Sequence, residues 1–180
     1  MRLRRTVAVA AIVMVTSCLI CLAGAQNPVA APATDTILRA SDVTPRIFPA
    51  TVFFRGQVAG VQMDNVGGVR YADGKLVLAG LVDSSGYASQ YRQKYQGYLI
   101  VEVPLEIAGQ TLKSGAYGFG FLDNDKFVIM DLGGNDVVES ASVHDTEIQH
   151  PIPLQFIGSP GAGAYRLYHG RDYVQFHRAY

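Results

Sequence analysis

The sequence predicts an all-β protein, an antiparallel β-sandwich or small barrel with one short helix near residues 84–96. Three observations carry that expectation. Short apolar runs recur through residues 46–178, each bounded by Gly, Pro, Asn or Asp. Turn signals join neighbouring runs, most clearly Ala72-Asp73-Gly74 and Asp123-Asn124-Asp125. No heptad, internal repeat or α/β alternation cuts across them.

Residues 1–25 read as an export signal. Arg2, Arg4 and Arg5 form the basic region, residues 6–15 the apolar region, and Ala23-Gly24-Ala25 the small-residue cleavage pattern, leaving Gln26 as the mature N-terminus. Thr16, Ser17 and Gly24 interrupt the apolar run, which favours a cleaved signal over a permanent membrane anchor. Thr6, Val7 and Ala8 after Arg4-Arg5 do not extend a twin-arginine motif, so general secretion is expected. A competing pattern is Val15-Thr16-Ser17-Cys18, which resembles a bacterial lipobox and would make Cys18 a lipidated N-terminus. The apolar residues 19–23 behind it weigh against lipidation, because a polar tether is usual there.

Cleavage after Ala25 removes both cysteines, Cys18 and Cys21, so the mature chain must rely on its apolar core rather than on disulfides. Without Arg2, Arg4 and Arg5 the 15 basic residues fall to 12 against 15 acidic ones, and a nucleic-acid partner is not expected. The remaining 155 residues are enough to bury roughly two-thirds of the unfolded surface. Ten Tyr and eight Phe supply the bulk that the missing Trp does not.

Residues 26–36 (QNPVAAPATDT) have no period and read as a flexible leader; residues 37–180 read as a single β domain. The first strand is expected in residues 46–55, bent or at a sheet edge because of Pro49. Residues 57–63 alternate weakly. Residues 67–71 and 75–82 form a hairpin, and the second arm, apolar on both faces, reads as a doubly covered central strand. Residues 84–96 turn polar, with Tyr87, Tyr91 and Tyr95 four residues apart, which places them on one face of a helix capped by Ser84 or Ser85. Residues 98–103 return to strand. Residues 105–107 lead into a bend at 109–115, then residues 117–122 and 126–132 make the next hairpin. A turn at 133–136 precedes a short strand at Val137-Val138. Residues 140–153 read as irregular, and residues 154–157, 164–169 and 173–178 as the last strands.

Gly109-Gln110-Thr111-Leu112-Lys113-Ser114-Gly115-Ala116-Tyr117 resembles the G-x-x-L-x-x-G-x-Y hairpin of a group of secreted bacterial β-sandwich proteins of unknown function. The resemblance spans about fifteen of 180 residues. It implies a sandwich and export, and it carries no catalytic residue across.

Four groups of residues are site candidates. A hairpin turn centred on Asn124-Asp125 puts Tyr117, Phe119 and Phe121 on one face with Val128, Met130 and Leu132. Gly118 and Gly120 then lie on the other face, beside Asp131 and Ile129. Bare glycine there is either the seat of the tyrosine helix or the floor of a ligand site. Tyr87, Tyr91 and Tyr95 could form an aromatic platform for sugar rings, or an aromatic stripe packed on a sheet. His144, Asp145 and His150 could hold a metal or supply a general base, or be solvated loop residues. Asp123 and Asp125 fit turn chemistry. Asp131, in an otherwise apolar strand, would need a partner such as Arg166, Arg171 or Lys75.

No nucleophile elbow, phosphate loop, dinucleotide fingerprint or metal-ligand spacing is present, so no catalytic residue, cofactor or metal is assigned. The expected role is an exported, non-enzymatic binding protein of the envelope or the secreted fraction, whose partner is a small molecule, a glycan or an envelope protein. Two alternatives are a glycan-active hydrolase or lyase using the loop His and Asp residues, and a lipid-anchored structural envelope protein if Cys18 is modified.

Overall fold

A computed structural model describes residues 34–161 and 163–179. The expected signal, lipobox and cleavage site, and most of the leader, lie outside the described residues. The last leader residues do not: Thr36 already pairs with Arg70, and Asp35 accepts hydrogen bonds from the Ala72 amide (2.8 Å) and the Tyr165 hydroxyl (2.5 Å).

The fold is an all-β sandwich of two antiparallel sheets. In chain order the strands are β1 (Thr36–Leu38), β2 (Thr51–Phe54), β3 (Gln57–Arg70), β4 (Leu76–Val82), β5 (Gly97–Val101), β6 (Leu105–Ile107) and β7 (Gln110–Leu112). They continue with β8 (Gly115–Leu122), β9 (Lys126–Met130), β10 (Asp136–Ala141), β11 (Val143–His144), β12 (Leu154–Gly158), β13 (Ala164–His169) and β14 (Asp172–Arg178). The larger sheet runs β1-β3-β4-β5-β8-β9-β10, with β2 paired to β3. The smaller runs β12-β13-β14-β6-β7, with β11 paired to β14.

Between the sheets lies a core of Val77, Leu81, Leu99, Phe119, Phe127 and Ile129 from the larger sheet against Leu105, Leu154, Phe156, Leu167, Val174 and Phe176 from the smaller. Every second residue of each strand supplies it, which is the period-two pattern of a buried sheet face. A second core backs the larger sheet, where Leu78, Tyr98, Val128 and Met130 meet Phe48, Val52, Phe54, Tyr87 and Tyr95. β4 is therefore buried on both faces, as its unbroken apolar run requires.

The cover over that second core comes from two pieces. One is the hairpin of β2 with the first part of β3. The expected separate strands at residues 57–63 and 67–71 are one 14-residue strand, and its register on β4 slips between Val61 and Val66. That irregularity lets the front half leave the plane of the sheet and cover its outer face with Val52, Phe54 and Ala59. Arg55 and Gly56 close the hairpin with φ of 48° and 79°, the paired left-handed geometry of a two-residue turn. Pro49 falls before β2, so the expected strand at 46–55 is cut to four residues.

The other piece is the tyrosine segment. Its helix is shorter than expected, a six-residue α1 (Ser89–Lys94) rather than residues 84–96. Ser84 and Ser85 form a turn ahead of it, with the Ser85 amide bonded to Asp83, and Ala88 rather than a serine precedes the first turn. Six residues are too few to persist alone, so packing decides where this helix starts. Residues 109–115 are likewise more ordered than a bend, because β7 pairs with β6 there.

Candidate functional site

Gly118 and Gly120 are covered from within the chain. A Cβ on Gly118 would sit 2.8 Å from the Phe54 ring and 2.9 Å from the Tyr95 ring, and one on Gly120 would collide with the Lys94 backbone carbonyl. The two glycines let the end of α1 approach the sheet at backbone distance. Tyr95, fully buried, stacks on Phe54 with ring centroids 4.0 Å apart, and Tyr87 meets Tyr95 edge-on at 5.1 Å. The Tyr87 hydroxyl lies within hydrogen-bonding reach of the Phe54 (2.9 Å) and Gln57 (3.1 Å) carbonyls. The Tyr95 hydroxyl is buried without a hydrogen-bond partner among the described residues. Tyr91 is partly buried on the same core, with the Arg55 guanidinium 4.0 Å above its ring. Of the two uses weighed for these rings and glycines, the structure shows the packing one.

The hairpin register differs from expectation by one residue. Phe121 faces Phe127, Gly120 faces Val128, Phe119 faces Ile129 and Gly118 faces Met130. The turn takes three residues, Asp123 to Asp125, because Asn124 and Asp125 both adopt left-handed φ (65° and 55°). A one-residue slip exchanges faces along the whole partner strand. Phe127 and Ile129 thus join the inter-sheet core, while Val128 and Met130 lie on the glycine side.

Asp131 does not pair with Arg166, Arg171 or Lys75. It follows β9 and organises the next turn, accepting from the Asn135 amide (3.0 Å) and side chain (2.9 Å). These donors hold its carboxyl below the usual range. His144, exposed, pairs through Nδ1 with Asp172 at 2.6 Å. Asp145 accepts from the Tyr168 hydroxyl (2.7 Å) and the Glu147 amide (2.9 Å), which lowers its pKa. His150 is exposed in the loop. His144 and Asp145 are engaged with different partners, and no group of three His, Cys, Asp or Glu could hold a metal among the described residues.

Two features went unmarked in the sequence. Arg55 latches the β2–β3 hairpin to the turn after β9, donating from Nη1 to the Gly133 carbonyl (2.6 Å) and from its amide to Leu132 (3.0 Å). The second is a cleft of about 570 Å³ at one lateral side of the sandwich, within the size range of small-ligand sites. Its walls come from β1 and the following turn (Ile37, Leu38, Arg39, Ala40), from β3 (Asp64, Val66, Gly67) and from β12 with its approach (Ile152, Leu154, Gln155, Phe156). The lining is mostly apolar, and Ile152 is 49% exposed. Arg39 forms no ion pair among the described residues. Ile152, an apolar residue between Pro151 and Pro153, was the one local hint of this space.

Comparisons with protein families, with curated proteins and with solved structures find no match to the chain.

Proposed function

We propose that the chain is an exported, non-enzymatic binding domain that holds a small amphipathic ligand in the cleft beside β12. The observation that carries this reading is the cleft of about 570 Å³ itself, where Ile37, Leu38, Val66, Leu154 and Phe156 share a lining with Arg39 and Asp64. The ligand class follows: an apolar body carrying one carboxylate, with Arg39 available for its negative charge. Asp64, in the same lining, disfavours ligands with several negative charges.

Saturation-transfer NMR with octanoate, decanoate and N-acyl amino acids tests the reading. Arg39→Gln is expected to weaken binding of these carboxylates by about tenfold, because it removes the charge that pairs with them. Ile152→Glu is expected to abolish binding. If both variants bind as the parent does, the cleft is not the site. Export rests on residues 1–25. An intact mass beginning at Gln26 supports secretion and excludes the lipid-anchored alternative, whereas a mass beginning at an acylated Cys18 supports that alternative.

A further inference from the structure

We propose a second site, for a saccharide, in the notch at the middle of β14 on the side away from β13. The notch arises from how β14 is shared. Its residues Asp172 and Tyr173 pair with β11, and Phe176 to Arg178 pair with β6. Gln175 falls between the two neighbours and pairs with neither. Backbone orientation alternates along a strand, and both Arg171, whose carbonyl takes the Asp145 amide, and Ala179, whose amide reaches Pro104, bond on this side. The Gln175 peptide group, at the same parity, therefore faces the gap. The gap stays open because small residues flank it: Ala108 and Gly109 at the β6–β7 turn, and Ala141 at the end of β10. It holds about 370 Å³.

The side chains around the notch have the chemistry of sugar recognition. Tyr173 forms one wall, half-buried, its ring packed by the Arg166 guanidinium at 4.5 Å and by the Tyr168 ring at 4.9 Å. A pyranose ring presents an apolar C–H face that can lie against Ala108, Gly109, Ala141 and Val143, while its hydroxyls need planar polar partners. Glu106 and His177, 3.5 Å apart, and Gln175 supply a carboxylate, an imidazole and an amide in the same lining. Glu106 accepts, the Gln175 side chain donates from its nitrogen while its oxygen takes the Ser159 hydroxyl (2.8 Å), and the Gln175 peptide group adds a fixed polar contact that needs no side-chain ordering. The lining contains no lysine or arginine, so a neutral sugar fits better than a phosphorylated one.

The test is a titration of the ¹⁵N-labelled protein, followed by amide shifts, with maltopentaose, cellopentaose and chitopentaose. At least one of these is expected to shift the Gln175 amide saturably, together with Tyr173, His177 and Gly109. Glu106→Gln is expected to weaken that binding by about tenfold. Ala141→Leu, which fills the notch from an exposed position and leaves Tyr173 intact, is expected to abolish it without lowering the melting temperature. The proposal is overturned if none of the three sugars moves the Gln175 amide, if Ala141→Leu binds as the parent does, or if the shifts centre on Ile152 and Gln155 of the lateral cleft.

Discussion

The outer face of the larger sheet and the lateral cleft beside β12 both begin as gaps in the β-framework, and only the first is filled. On the outer face, Gly118 and Gly120 remove two side chains, and the chain returns Phe54, Tyr95 and the Lys94 backbone into the space. At the cleft, Ile37, Leu38, Val66 and Phe156 converge from three elements and leave a space of about 570 Å³. The first arrangement gains stability from close contact. The second leaves apolar side chains facing an open space, which a ligand with an apolar body would bury.

The contrast gives an ordered set of expectations. Tyr95→Ala empties the filled gap and is expected to destabilise the fold by about 4 kcal/mol, measured by denaturant unfolding. Tyr95→Phe keeps the ring stacked on Phe54 and deletes an unpartnered hydroxyl, so it is expected to be neutral or slightly stabilising. A large loss in the Phe variant would mean that the hydroxyl has a partner and that the filled region is polar in part.

Gly120→Val probes the same region from the sheet. Its side chain would displace the Lys94 backbone, and a loss of about 3 kcal/mol is expected. Arg55→Ala releases the latch at the hairpin tip without touching the buried rings. A smaller loss, about 1 kcal/mol, is expected from its exposed hydrogen bonds and its contact with Tyr91. Ile152→Glu in the open cleft is expected to stay within about 0.5 kcal/mol of the parent, because Ile152 is half out of the core already.

The smallest effect is a pH dependence at the sandwich rim. Burial, with the ring stacked on Phe121, holds the His169 imidazole below its usual value of 6.5, and the Asp172 carboxylate opposes that shift. The unfolded chain therefore takes up this proton more readily than the folded one. Stability is lost as pH falls below 6.5 toward the folded value, and His169→Phe is expected to flatten the melting-temperature curve in that window.

The difference between the two regions also explains what could be read from residues alone. The strands from β12 to β14 and the doubly covered β4 were legible because local alternation and turn residues specify them. The tyrosine spacing foretold a shared direction, and Tyr87, Tyr91 and Tyr95 do turn toward one core. The helix length was not legible, because contact with Gly118 and Gly120 rather than propensity fixes where α1 runs. The β8–β9 register was missed because two non-glycine residues, Asn124 and Asp125, adopt left-handed φ, which lengthens the turn by one. The cleft left almost no trace, since Leu38, Val66 and Gln155 belong to elements far apart in sequence and each fits its own strand. The β14 notch is similar: it depends on β6 and β11 stopping short of one another, which no local pattern records.

The measurement that bears most directly on the contrast is a titration of the ¹⁵N-labelled protein with decanoate, followed amide by amide. The amides of residues 37–41 and 152–157 are expected to shift saturably, while Tyr95, Gly118 and Gly120 stay fixed. Shifts centred on Gly118 and Gly120, with residues 152–157 silent, would contradict it and return the binding function to the glycine face.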